Sequence, residues 1–132
     1  MEYMIGLLLS LAVAGFAALI GWDRDRSFYS TVLIVIASYY VLFAVMGASQ
    51  RTVWIEIVIA LGFSLFAILG FKRNPWFLVT AMVGHGVFDF VHHFFISNPG
   101  VPSWWPGFCL AFDAVFGAFL ALRLRTRRVA HL

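Results

Sequence analysis

The chain has 132 residues, of which 63% are hydrophobic and only 11% are charged. This composition lies far from that of soluble domains and is typical of an integral membrane protein, and the length suits one transmembrane helical domain over residues 1–132. The single cysteine, Cys109, excludes an internal disulfide and a multi-cysteine metal cluster. The net charge of +3 does not indicate a nucleic-acid partner, because the basic residues stand at the ends of apolar segments.

Five apolar segments, each close to the roughly 20 residues that cross a bilayer, predict an all-α bundle of five transmembrane helices. In chain order they cover about residues 2–22, 28–48, 52–71, 76–97 and 104–124. A signal peptide is a weaker interpretation of the first segment, since Glu2 stands where a basic cluster is expected. Between the first two segments, Asp23 and Asp25 alternate with two arginines, and we expect this charge-balanced turn to be solvated. The longest loop, residues 98–106, contains three prolines.

The distribution of Lys and Arg predicts that the N-terminus lies outside and the C-terminus lies in the cytoplasm. With this orientation, eight of the nine basic residues are cytoplasmic, as the positive-inside rule requires, and only Arg51 is external. The cytoplasmic residues are Arg24, Arg26, Lys72, Arg73, Arg123, Arg125, Arg127 and Arg128. We therefore expect a protein of the bacterial inner (plasma) membrane.

A dense group of ionisable residues lies within the fourth segment, at residues 84–93. His85, Asp89, His92 and His93 follow one another at offsets of 4, 7 and 8 residues from the first. On a helix these offsets fall within about 100° of one another, so the four side chains share one stripe. Ionisable groups at membrane depth are costly and usually mark a function.

Matching depths along the helices suggests which residues accompany this stripe. At a rise of about 1.5 Å per residue, Asp89 and Asp113 of the fifth segment both lie roughly 12–13 Å below the outer boundary. Glu56 of the third segment lies roughly 6 Å down, level with His92 and His93. We expect Gly84 and Gly86 to allow a neighbouring helix or a ligand to approach closely.

A divalent metal, zinc or iron, is the cofactor that this set of residues predicts. No Lys or Arg stands at that depth in the sequence, and lone charges there would be costly unless they are paired or neutralised. Histidine and carboxylate ligands suit zinc, non-haem iron or manganese. We assign His85, Asp89, His92 and His93 as metal ligands, and Asp113 and Glu56 as candidate catalytic residues. A metal-free polar network, such as a proton path, and purely structural hydrogen bonding remain the alternatives.

The motif resembles one in a family of small bacterial and fungal membrane proteins of unknown function. The residues that carry the resemblance follow the pattern His-Gly-x-x-Asp-x-x-His-His, then a loop rich in Pro and Trp, then Cys-x-x-x-Asp. In this chain they are His85, Gly86, Asp89, His92, His93, Cys109 and Asp113. The shorter His-Gly-x-x-Asp element is also similar to one in membrane carotenoid-cleaving dioxygenases, which use histidine-bound iron, but this chain lacks their length and their further histidines.

The sequence thus predicts a metal-dependent membrane enzyme, a hydrolase or an oxygenase, that acts on a lipid or another lipophilic substrate. In a hydrolytic version, Asp113 or Glu56 activates a metal-bound water. The alternatives are a proton- or ion-coupled transport protein and an accessory subunit of a membrane complex. Membrane lipid is the expected partner, and so small a chain is expected to self-associate or to join a larger complex.

Overall fold

In a computed structural model of the protein, the described residues are 1–24 and 27–126, and they form five α-helices without a β-strand. The helices are α1 (Glu2–Ile20), α2 (Ser27–Gly47), α3 (Gln50–Lys72), α4 (Trp76–Phe95) and α5 (Trp105–Arg125). Their bounds agree with the predicted segments to within about two residues. Of the residues that predict the topology, Arg26, Arg127 and Arg128 lie outside the described part of the chain.

The helix ends follow from local chemistry. Gly21 ends α1 in the left-handed conformation, with φ of 83°, and its backbone N–H donates to the last turn. Ser49 begins α3 by accepting a hydrogen bond from the backbone N–H of Thr52. Pro75 precedes α4, and Pro106 stands in the first turn of α5, where a missing N–H costs nothing. These glycine, serine and proline residues therefore account for the ends of the helices at which they stand.

Four of the five helices, α1, α2, α3 and α5, are long and apolar enough to cross a membrane. The exception, α4, is the helix that carries His85, Asp89, His92 and His93, and these residues lower its hydropathy. The prediction of an apolar, membrane-type helical protein is confirmed at this level.

The order in which the helices pack places α4 inside the bundle. Helix α5 packs against both α1 and α4, and α3 packs against both α2 and α4, while α2 also contacts α4. Small residues permit the closest approaches. A Cβ built on Gly6 of α1 would overlap the carbonyl oxygen of Phe108, and one on Gly117 of α5 would lie 2.8 Å from Val83. Helix α4 thus buries His85, Asp89 and His92 while it packs against three neighbours.

Asp23, in the loop between α1 and α2, is fully buried. The interpretation of this aspartate as a solvated loop residue is therefore wrong. The guanidinium of Arg123 donates from Nε and Nη2 to the two carboxylate oxygens of Asp23, both at 2.8 Å. The hydroxyl of Tyr29, also buried, donates to Asp23 Oδ2 at 2.8 Å. The ion pair ties the loop after α1 to the end of α5, residues that are 100 positions apart.

Replacing Asp23 with Ala is expected to lower the free energy of unfolding by about 2–3 kcal/mol, since it leaves a partly buried guanidinium without its anion. SDS titration in mixed micelles measures this change. Arg24→Ala, an exposed position in the same loop, is the matched control and should leave stability almost unchanged. Equal stability of Asp23→Ala and the wild-type protein would show that the ion pair contributes nothing to the fold.

Candidate metal centre

Three buried side chains from α4 and α5 converge on one point. His85 and Asp89 come from consecutive turns of α4, and Asp113 comes from the facing surface of α5. His85 Nδ1 lies 2.8 Å from Asp113 Oδ2 and 3.0 Å from Asp89 Oδ2. One ligand atom from each of the three residues lies within 4.8 Å of the other two. We call this group the His85 cluster.

Gly86 brings α5 close enough for Asp113 to reach His85. A Cβ built at position 86 would lie 2.9 Å from the Cβ of Asp113, closer than side chains normally approach. Gly84, two residues earlier, has nothing within 4 Å of such a Cβ. The prediction of a close helix approach is therefore confirmed at Gly86, whereas Gly84 faces open space.

The His85 cluster leaves several buried polar atoms without a hydrogen-bond partner. A single Nδ1–H can donate one well-aligned bond, and the contact of His85 with Asp113 has hydrogen-bond geometry. The atoms left over are His85 Nε2, both carboxylate oxygens of Asp89 and Asp113 Oδ1. Among the described residues, no Lys or Arg lies within ion-pair distance of the cluster. Each such buried atom costs about 1–3 kcal/mol, so the cluster is incomplete without a cation or additional protons.

His92 and Glu56 form a second group, nearer the end of α4. His92 Nε2 lies 2.7 Å from Glu56 Oε2, and the side-chain amide of Asn98 donates to the same oxygen at 2.7 Å. The ring of Tyr40 stacks on the His92 imidazole, with 3.9 Å between centroids and 10° between planes. The Tyr40 ring and the hydrogen bond to Glu56 hold the His92 side chain in place. Glu56 Oε1 is buried and unpartnered.

The structure thus divides the predicted ligand stripe. It brings His85 and Asp89 together with Asp113, which was assigned as a candidate catalytic residue, and it pairs His92 with Glu56 instead. His93 is exposed, and its ring contacts Phe94 at 4.1 Å. Phe88 contacts both imidazole rings, with centroids 6.1 Å from His85 and 5.4 Å from His92. His92 lies seven residues from His85, about 10 Å further along the helix axis, and His93 is turned about 80° away from it, so neither side chain reaches the cluster.

Sequence reasoning missed Asn98 and Trp105. Asn98 stands in the loop after α4 and contacts Glu56 from a separation of 42 residues, so no local pattern reveals the pair. Trp105 was not among the predicted site residues, yet it is buried and its indole nitrogen has no partner. Tyr40 and Cys109 pack with Trp105 in one small apolar cluster.

Two cavities adjoin these groups. The larger, of about 650 Å³, is an apolar groove between α1, α2 and α5, and Cys109 and Asp113 are among its lining residues. The smaller, of about 430 Å³, is lined by Tyr40, His92, His93 and Asn98 together with the loop after α4. The His85 cluster is therefore next to an apolar space, and the His92 pair is next to a more polar one.

Comparison of the chain with protein families, curated proteins and solved structures found no match. The geometry of the two groups is accordingly the basis for any functional conclusion.

Substituting Ala for Gly86 is expected to push α4 and α5 apart and to cost about 1–3 kcal/mol of unfolding free energy, because the new methyl group overlaps Asp113. SDS titration in mixed micelles measures the change.

Gly84→Ala is the matched control, two residues away on the same helix. It should be neutral or stabilising by up to about 1 kcal/mol, since Ala is the better helix former and the added Cβ meets open space. If the two variants were equally stable, the close approach at Gly86 would not be the feature that positions Asp113.

Proposed function

We propose that this protein is an integral membrane metalloprotein in which His85, Asp89 and Asp113 bind one divalent cation, and that it acts as an enzyme on a lipophilic substrate. The observation that carries the proposal is the His85 cluster itself. Three ligand atoms lie within 4.8 Å of one another, and four buried polar atoms of the same residues lack partners. A cation supplies the missing positive charge and partners for the carboxylates.

The donor set narrows the choice of metal. One imidazole nitrogen with carboxylate oxygens suits zinc, manganese or non-haem iron. Three protein ligands leave at least one coordination position for water or substrate, which is the arrangement of catalytic rather than structural sites. A metal bound there would supply Lewis acidity or an activated water. Asp113 both ligates and lines the apolar groove, so it is the residue that connects the cation to a lipophilic substrate.

The membrane arrangement belongs to the same proposal. All five helices cross the bilayer, with the N-terminus outside, and the site lies in the outer half of an inner (plasma) membrane of a bacterium. The positive-inside distribution supports this orientation. Helix α4 tolerates its ionisable residues because α2, α3 and α5 pack around it and bury His85, Asp89 and His92.

Metal analysis of the purified protein tests the proposal. After loading with zinc, manganese or anaerobic iron(II), the wild-type protein should retain one ion per chain through gel filtration. His85→Ala and Asp113→Asn should lower the affinity about 100-fold or more, since each removes a ligand or its charge. Inductively coupled plasma mass spectrometry gives the stoichiometry.

Two control variants distinguish the His85 cluster from the wider stripe. His92→Gln keeps a hydrogen-bond donor to Glu56, and His93→Ala changes an exposed side chain, so both should retain the ion. Loss of the ion in His92→Gln would restore His92 to the ligand set. No retained ion in the wild-type protein with any of the three metals would refute the metal site.

A proton- or ion-coupled transport function is the second candidate, and the Glu56–His92 pair favours it. The histidines of this pair and of the His85 cluster both lie on α4, with Phe88 in contact with both imidazoles. Buried His, Asp and Glu in series can carry protons through a membrane. The two functions differ in outcome: a relay conducts protons in metal-free liposomes and loses conduction in Asp113→Asn, whereas the enzyme is inactive without metal.

A further inference from the structure

We propose that one end of the helical bundle binds the headgroups of anionic phospholipids through Arg24, Lys72, Arg73 and Arg125. We call these four residues the basic end. The inference goes beyond the proposed metalloenzyme and rests only on the part of that proposal in which the helices cross the bilayer. It uses none of the residues of the His85 cluster.

The four residues come from three separate places in the chain. Arg24 follows α1, Lys72 and Arg73 stand where α3 ends, and Arg125 is the last residue of α5. Because α1, α3 and α5 alternate with α2 and α4 in an up-and-down bundle, their C-terminal ends are expected to lie together.

Contacts between the helices confirm that these ends lie together. The ion pair of Asp23 with Arg123 fastens the loop after α1 to the end of α5. The end of α3 packs against the start of α4, where a Cβ built on Gly70 would overlap the side chain of Leu78. Leu78 in turn belongs to the same core cluster as Leu124, the residue before the end of α5. The basic end is therefore one surface of the molecule.

The cations of the basic end are not neutralised by the described residues of the protein. All four side chains are exposed, and none forms an ion pair within residues 1–24 and 27–126. Asp23, the carboxylate that the structure describes at this end, is fully buried and already paired with Arg123. Residues 25–26 and 127–132, which adjoin this end in the sequence, contain one aspartate and three arginines. The surface is thus available to an anionic partner.

Exposed apolar side chains beside the basic end favour a phospholipid over a soluble anion. Leu19 and Trp22, shortly before Arg24 in the chain, are 85% and 63% exposed, and Trp76, three residues after Arg73, is 38% exposed. Tryptophan at the end of an apolar helix is typical of the membrane–water interface. A phospholipid covers both kinds of surface, since its acyl chains lie against the apolar side chains while its phosphate meets the cations. A soluble polyanion would leave the apolar side chains in water.

Competition between two lipids in detergent micelles tests the proposal. The purified protein is mixed with equal amounts of phosphatidylglycerol and phosphatidylcholine that carry the same oleoyl chains, and the lipids retained through gel filtration are quantified by mass spectrometry. The wild-type protein should retain phosphatidylglycerol in about tenfold excess or more, since each cation near an anionic surface contributes about fivefold in affinity. The excess should fall in about 1 M NaCl, where the Debye length is only about 3 Å.

The triple variant Lys72→Gln/Arg73→Gln/Arg125→Gln removes three of the four cations. Its preference for phosphatidylglycerol should be about tenfold lower than that of the wild-type protein or less than that. Arg51→Gln, at an exposed arginine in the first turn of α3 and thus at the opposite end of that helix, is the matched control and should keep the wild-type preference. The midpoint of SDS unfolding should be unchanged in both variants, because every altered side chain is exposed.

Equal retention of the two lipids by the wild-type protein, or an unchanged preference in the triple variant, would overturn the lipid surface. Displacement of phosphatidylglycerol by inorganic phosphate or by an RNA oligonucleotide at the same ionic strength would also overturn it, since the site would then belong to a soluble anion.

Two further measurements separate this inference from the proposed function. Metal content is determined on the same samples: a retained ion without a lipid preference would contradict the lipid surface alone, whereas a lipid preference without a retained ion would contradict the metalloenzyme alone. Protein that fails to float with vesicles of either lipid would contradict the membrane arrangement itself.

Discussion

The burial of His85, Asp89 and His92 within the bundle is the constraint on which the rest of the structure depends. In such surroundings each polar group must find its partner inside the protein. His85 Nδ1 faces the carboxylates of both Asp89 and Asp113, at 3.0 and 2.8 Å, but one N–H can serve only one of them well. The arrangement is therefore short of positive charge, and the packing of the helices maintains this shortage because it keeps solvent away from all three side chains.

Helix packing maintains the arrangement through small residues at defined places. Gly86 lets the backbone of α4 approach Asp113, while Gly117 and Gly6 do the same for the contacts of α5 with α4 and α1. Helix α5 contacts both α1 and α4, so it joins these two helices. Ser10 of α1 adds a hydrogen bond to the carbonyl oxygen of Phe112, next to Asp113. The position of Asp113 thus follows from α1 as well as from α4.

Much of the fold could be predicted from the sequence because apolar length and helix-ending residues are local signals. The five helices follow from segments of spanning length, and Gly21, Ser49 and Pro75 mark their ends. Depth along each helix placed Asp113 level with Asp89, and Glu56 level with His92 and His93. In the structure Asp113 contacts His85 and Glu56 contacts His92. Rotation about the helix axes was not predictable in this way, because it depends on which neighbours pack against each face.

The division of the stripe at His92 illustrates this limit. A helical pattern gives the angle between two residues of α4, but the location of Glu56, Tyr40 and Asn98 around His92 depends on α2, α3 and a loop. Asp23 gives a second example. The alternation of Asp23 and Asp25 with arginines indicated a solvated turn, yet the actual partner of Asp23 is Arg123, 100 residues further along the chain. In both cases a long-range contact replaced the partner that the local sequence suggested.

Asp23 and Asp89 differ in whether their carboxylate oxygens have hydrogen-bond partners. Both Asp23 and Asp89 are fully buried. Asp23 accepts two hydrogen bonds from Arg123 and one from Tyr29, so both of its oxygens and its charge are matched by protein groups. Asp89 has neither oxygen in a hydrogen bond. The same fold can therefore supply a complete set of partners to a structural carboxylate.

Because the fold supplies hydrogen-bond partners to both oxygens of Asp23, their absence at Asp89 is informative. A carboxylate kept only for packing could be replaced by an apolar residue of similar volume at little cost or with a gain in stability. Two carboxylates and an imidazole lie at one buried point, beside an apolar groove. This arrangement has a physical explanation if a further group supplies the missing partners. The divalent cation that we propose would balance the two carboxylates and give their free oxygens a partner, since one ligand atom from each of the three residues lies within 4.8 Å of the others.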